Sequence, residues 1–169
     1  MTRLIGLDPG LAATGFGVIE IRSRRIAHLD HGSIRTASDL PTGERLHIIQ
    51  RSVIEVIEKY RPTAAGVESL YFAKNITSAL PVAQARGVLL LTLHQFGIPT
   101  KEFAPQEIKL AISGNGRAEK RQVQELVRML IGLDDVPQPD HAADALAAAI
   151  CCYHVLASEL RILKGSYVQ

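Results

Sequence analysis

Two cysteines are all that these 169 residues contain. They are adjacent, Cys151-Cys152, in an alanine-rich run that reads as helix. Neighbours on a helix point about 100° apart, a poor arrangement for a disulfide. The pair is expected to be small apolar filler in a reducing compartment. Long apolar runs are also lacking, since the longest, Ala145 to Tyr153, is too short to span a bilayer. No leader is visible, because Met1-Thr2-Arg3 runs straight into a strand. These absences predict a cytoplasmic protein with no membrane association. Net charge is only +2, so contact with nucleic acid would need a local basic patch. Repeats, low-complexity stretches and long linkers are missing as well. One domain is expected over residues 1–164, with 165–169 as a loose tail.

What is present is an ordinary globular composition, 47% hydrophobic and 21% charged, enough for a sizeable core. Arg3 to Leu7, Gly15 to Ile21 and Arg25 to Ile34 read as three strands of an antiparallel meander, with a hairpin turn at Ser23-Arg24. After Pro41 the period changes. Leu46, Ile49, Val53, Val56 and Tyr60 mark an amphipathic helix that Arg61-Pro62 ends. Ala64 to Val67 is a short strand, added in parallel after the crossover. Tyr71 to Thr77 reads as a loop or a helix start, and Ala79 to Phe96 as a helix closed by Gly97. Pro99 to Phe103 is another strand. Pro105 opens a helix to about Ile112, and Ser113-Gly114-Asn115-Gly116 breaks it. Lys120 to Ile131 is a helix with Val123, Val127 and Leu130 on one face. Pro137-Gln138-Pro139 is a stiff connector, and Asp140 caps a last helix of roughly twenty residues. The sum is an α/β domain: three antiparallel strands, then parallel strands, flanked by helices.

Two of these strands end in a carboxylate, at Asp8 and at Glu68. Asp8 stands in Leu7-Asp8-Pro9-Gly10, where Pro9 must stop the strand. Such an acid is either a turn cap or a group whose burial demands a partner or a metal. On the last helix His141 and Asp144 are three apart, hence on one face near its start. Each alone suits a bland reading, a dipole-favourable acid or an exposed histidine. Together, three acids and an imidazole suit Mg²⁺ or Mn²⁺. Two ions about 3.5–4 Å apart would relieve the mutual repulsion and clamp a phosphoryl transfer.

Several motifs then come in a recognisable order. They are Ile5-Gly6-Leu7-Asp8-Pro9-Gly10 with Thr14-Gly15, Val67-Glu68, Ala73-Lys74-Asn75 with Ser78-Ala79-Leu80, Gln84-Ala85-Arg86-Gly87-Val88, Ala118-Glu119-Lys120 with Gln122-Val123, and Ala142-Ala143-Asp144-Ala145-Leu146-Ala147. Over about residues 4 to 150 they resemble the RuvC family of Holliday-junction resolvases. The resemblance implies a ribonuclease-H-like fold, a homodimer, two symmetric cuts in a four-way DNA junction, and partnership with RuvA and RuvB. It also implies water as the nucleophile, 5′-phosphate products, and Mg²⁺ or Mn²⁺, two ions per subunit, at Asp8, Glu68, His141 and Asp144. His141 stands where many members have Asp. It is a softer ligand than a carboxylate, and could serve as ligand or as proton acceptor.

The same resemblance marks a DNA surface. The chain has only four Phe and four Tyr, so the adjacent Tyr71-Phe72 just after Glu68 stands out. Tyr71 best matches the family's stacking aromatic, with Phe72 next, and Lys74 follows. Arg117, Lys120 and Arg121 surround a helix start and could form a phosphate site. Lys109 and Lys120 match basic DNA-contacting positions. Arg86 is expected to contact DNA or to brace the site, and Gly87 suggests the close approach of a second subunit around Ala79 to Phe96. The remaining histidines, His28, His31, His47, His94 and His154, show no ligand spacing. A competing reading, an actin-like or sugar-kinase-like ATPase, needs a duplicated domain that 169 residues do not provide. A junction-binding module without catalysis and a nuclease for RNA–DNA hybrids compete as well.

Overall fold

The computed structural model describes the backbone of residues 2–69 and 76–165, and side chains for residues 2–69 and 79–162. The elements follow the chain as β1 (Thr2–Asp8), β2 (Ala13–Arg22), β3 (Arg25–Arg35), α1 (Thr42–Tyr60), β4 (Ala64–Glu68), α2 (Ile76–Gln95), β5 (Thr100–Phe103), α3 (Pro105–Ser113), α4 (Lys120–Ile131) and α5 (Asp140–Gly165). The sheet order is β3-β2-β1-β4-β5. The β1, β2 and β3 pairs are antiparallel, and β4 and β5 add in parallel. The fold is therefore the ribonuclease-H-like mixed sheet. Ser23 and Arg24 both take left-handed backbone, φ 49 and 68, the pair of conformations that a twist-matched two-residue hairpin requires.

Strand alternation sorts the core into two layers. Ile5, Leu7, Val18, Ala65 and Val67 face Ile49, Val53 and Ile57 of α1 and Ala85, Leu89 and Leu93 of α2. Leu4, Ile19 and Ala64 face the opposite layer, with Ile108 and Ile112 of α3, Val123, Val127 and Ile131 of α4, and the alanines of α5. Leu4 pairs with Ala64 and Gly6 with Gly66. Two residues further, on that same α5 side, lie the strand-end acids Asp8 and Glu68.

Helix α5 crosses the centre of this face. A Cβ built on Gly6 would lie 1.8 Å from the Ala145 carbonyl oxygen, one on Gly15 1.9 Å from that of His141, and one on Gly66 2.4 Å from that of Ala148. Residues 141, 144, 145, 148, 149 and 152 recur at three- and four-residue steps, and all except His141 and Asp144 are Ala or Cys. A stripe of small side chains thus meets a patch of glycines, and the helix sits backbone to backbone on the sheet.

Some boundaries and faces differ from expectation. The last helix has 26 residues and includes Gly165, longer than expected, because the helical pattern continues into Glu159–Lys164 without a breaker. The rest of the expected tail, 166–169, lies outside the described residues. The α4 face is completed by Ile131, whereas Leu130 is 39% exposed, since four-residue steps from Val123 and Val127 reach 131. Asp140 is the first residue of α5 rather than its cap. The Pro139 carbonyl accepts the amides of Ala142 and Ala143, and the Asp140 side chain turns to α4. The stretch Asp140–Ile162 is also long and apolar enough to cross a membrane by length and composition, contrary to expectation, because its apolar character extends beyond Ala145–Tyr153. In the structure its first half is the buried centre of the core. Cys151 and Cys152 are free and buried, and burial pushes their thiols up to about 12 and 11.

Candidate active site

Asp8 ends β1 because Pro9 supplies no amide to continue the ladder. Glu68 ends the parallel neighbour β4 at the matching position, one residue beyond the Leu7–Val67 pair. The first turn of α5 lies over both. His141 Nδ1 is 2.6 Å from Asp8 Oδ2. Asp144, one turn on, receives the Lys120 ammonium from α4, with Nζ 3.0 Å from Oδ2. Lys120 Nζ also lies 3.2 Å from Asp140 Oδ2. Beside Glu68 and Asp144 opens a cavity of about 190 Å³, further lined by Lys109, Lys120, Pro105 and Ile108.

Asp8 and Glu68 interact directly at the ends of the two strands, and burial is the largest cause raising each carboxyl. Burial pushes Asp8 up to about 7, partly offset by the interaction with Glu68, while Asp144 pushes further upward. Burial likewise raises Glu68 to about 8, aided by the charges of Asp8 and Asp144. A buried and a half-buried carboxyl with raised pKa values are both shifted toward their ionised form by added positive charge.

Among the described residues, no three His, Cys, Asp or Glu side chains are already drawn together as a closed metal cage. Asp8 is paired with His141, and Asp144 with Lys120. Of the four sequence-predicted groups, Glu68 and Asp144 line the cavity, and Asp8 lies at the neighbouring strand end in contact with His141. Lys109 and Lys120 flank the cavity. The Lys120 ammonium, at the start of α4, turns to the acids of α5. Arg117 and Arg121 remain exposed near that start. Arg86 is ion-paired to Glu102 of β5, with Nε 2.5 Å from Oε2. Tyr71, Phe72 and Lys74 lie outside the described residues.

Sequence reasoning missed the partners of Lys120 and Arg86, and the glycine seat beneath α5. Only the seat had a readable signal, glycine at alternate strand positions opposite a small-residue helix. It also missed the contact between His28 Nε2 and His31 Nδ1, 2.7 Å apart. Val18 pairs with Asp30 and Ile19 with His28, so Leu29 is an extra residue that places the two histidines on one face.

A mixed sheet with acids at the ends of β1 and β4, covered by a helix that contributes two further polar groups, defines a ribonuclease-H-like nuclease. Residues 4–152 match the family model described as crossover junction endodeoxyribonuclease RuvC. The chain belongs to that family. It is 56% identical over 147 residues to the RuvC of Treponema denticola, covering 87% of this chain and 83% of that one. To the RuvC of Thermotoga petrophila it is 46% identical over 159 residues, covering 94% and 95%. Its fold superposes with a TM-score of 0.84, at 33% identity, on the Thermus thermophilus RuvC solved in complex with Holliday junction substrate, covering 89% of this chain and 92% of that one. The ATPase reading is thereby set aside.

Proposed function

We propose that this chain resolves four-way DNA junctions by hydrolysing one phosphodiester per subunit of a homodimer, within a nuclease domain spanning residues 1–164. The observation that carries the mechanism is the convergence of the strand-end carboxyls Asp8 and Glu68, both raised by burial, with His141 Nδ1 2.6 Å from Asp8 and Asp144 lining the same cavity as Glu68. Such a donor set fits a divalent cation, Mg²⁺ or Mn²⁺ and two per subunit, because all four groups are hard or borderline ligands. A bound divalent ion would supply charge for the phosphate and acidity for the attacking water. Asp8, Glu68 and Asp144 would hold it. His141, with its Nδ1 proton given to Asp8, keeps a lone pair on Nε2 to accept the proton of that water, or to bind metal. Lys109 and Lys120 would neutralise the scissile phosphate. Water attacks at phosphorus and the 3′ oxygen leaves, giving 5′-phosphate and 3′-hydroxyl ends.

For the substrate, Arg117 adds charge near the mouth, and Tyr71, Phe72 and Lys74, following Glu68 in the chain, are assigned to base stacking and backbone contact. Arg86 would hold α2 against β5. The test is incubation of the protein with an immobile four-way junction and a matched duplex, with Mg²⁺ or Mn²⁺. Preferential paired cutting of the junction supports the proposal; equal cutting of both, or none, refutes it.

The outer face of α2 suits a second copy. Leu80 and Leu91 are 60% and 53% exposed, and a Cβ on Gly87 between them would meet nothing within 4 Å. Leu91→Glu is expected to shift the dimer toward monomer, read by sedimentation equilibrium; an unchanged mass would exclude this face. RuvA and RuvB as partners, and the cytoplasm as location, complete the reading by family analogy.

The raised carboxylates give the site a pH dependence. Cation binding must displace protons from the raised carboxyls, so Mn²⁺ affinity is expected to rise by about tenfold or more per pH unit between pH 6 and 8. For the metal-free protein the sign is opposite. The stability contributed by groups with raised folded pKa is complete below the ordinary carboxylate range, and falls as pH rises through about 7 and 8. Calorimetry should show Tm falling from pH 6 to 9, and Mn²⁺ restoring it.

A further inference from the structure

We infer that Asp140 is a positioning residue that draws Lys120 off Asp144 when a cation binds, an assignment that rests on the metal-site reading above. The Lys120 ammonium is shared between two carboxylates one helical turn apart, 3.2 Å from Asp140 Oδ2 and 3.0 Å from Asp144 Oδ2. Asp140 is itself fixed from α4, where Gln124 Nε2 donates to its Oδ1 at 3.2 Å. Lys120 and Gln124 are four apart on α4, and Asp140 and Asp144 four apart on α5. The two helices thus meet as a polar ladder with the ammonium between its rungs.

In this arrangement Lys120 occupies the carboxylate that a cation needs. A divalent ion on Asp144 would repel an ammonium within hydrogen-bond distance of the same oxygen. With Asp140 in place, Lys120 keeps a charged partner while it leaves Asp144, and stays at the mouth of the cavity it lines. Without Asp140, its remaining carboxylate partner is Asp144, and an incoming cation must break that pair outright. Asp140 is 59% exposed at its side chain and Lys120 51%, so the outer pair adds little to stability and its removal should leave the fold intact.

The test is Mn²⁺ binding to the DNA-free protein, followed by electron paramagnetic resonance of the free ion. Asp140→Asn is expected to weaken binding by about three- to tenfold, and Asp140→Glu to recover most of that loss. In cleavage, the Mn²⁺ concentration for half-maximal rate should rise by the same factor, while the rate at saturating Mn²⁺ stays within about twofold. In a Lys120→Met background, Asp140→Asn should have no effect on binding. Equal weakening in both backgrounds would reduce Asp140 to a plain negative charge and overturn the inference, as would unchanged binding in the single variant. A wild-type protein that binds Mn²⁺ no better than its Asp8→Asn variant would instead overturn the metal-site reading, and this inference with it.

Discussion

Asp8→Asn is expected to lower single-turnover junction cleavage by about a thousandfold or more, while metal-free junction binding stays within about threefold. The amide has the shape of the carboxylate, and its oxygen can still accept from His141 Nδ1, so the contact at 2.6 Å survives. What is lost is the strand-end negative charge at the centre of the acid cluster. The charge of Asp8 also helps raise Glu68, after burial. Its removal should therefore lower the Glu68 pKa and make the metal-free variant more heat-stable than wild type at pH 8, with a smaller gain at pH 6. Quenched-flow cleavage, gel shift without metal and calorimetry at the two pH values check the three parts. A variant that cuts at near wild-type rate would remove Asp8 from the chemistry.

Gly6→Ala should produce the largest loss of stability among conservative changes. The new Cβ would fall 1.8 Å from the Ala145 carbonyl oxygen and 2.6 Å from the Ala149 amide nitrogen. Both neighbours are helix backbone and cannot swing aside, so α5 must lift from the sheet. Overpacking of this kind costs about 3 kcal/mol, a fall in Tm of roughly 10 °C for a chain of this size. Since α5 carries His141 and Asp144, cleavage should fall as well. Gly43→Ala is the matched control, because its Cβ would meet nothing within 4 Å and alanine favours the helix by up to about 1 kcal/mol. Thermal melts of the two variants decide whether the glycine seat carries the predicted weight.

Much of this site was legible because strands and helices have fixed periods. Leu4, Gly6 and Asp8 alternate onto one face, as do Ala64, Gly66 and Glu68, so the convergence of two strand-end acids could be read from the chain alone. The three-residue step from His141 to Asp144 likewise showed them sharing a helix face. The connections of Lys120, Arg86 and Asp140 were not legible. Lys120 and Asp144 are 24 residues apart, and Arg86 and Glu102 are 16 apart. Whether such groups meet depends on how α4 docks against α5 and α2 against β5, which leaves no periodic trace. The His28–His31 contact was hidden for another reason: a bulge breaks the period that would have predicted its face.

The acids at the ends of β1 and β4 and on the first turn of α5 are proposed to hold a catalytic divalent cation. Anomalous diffraction from crystals soaked in Mn²⁺ tests this most directly. Density is expected to be bounded by Asp8, Glu68 and Asp144, with the Lys120 ammonium no longer on Asp144 and still on Asp140. Lack of Mn²⁺ at these side chains in crystals of a protein that cuts junctions in the same buffer would contradict it.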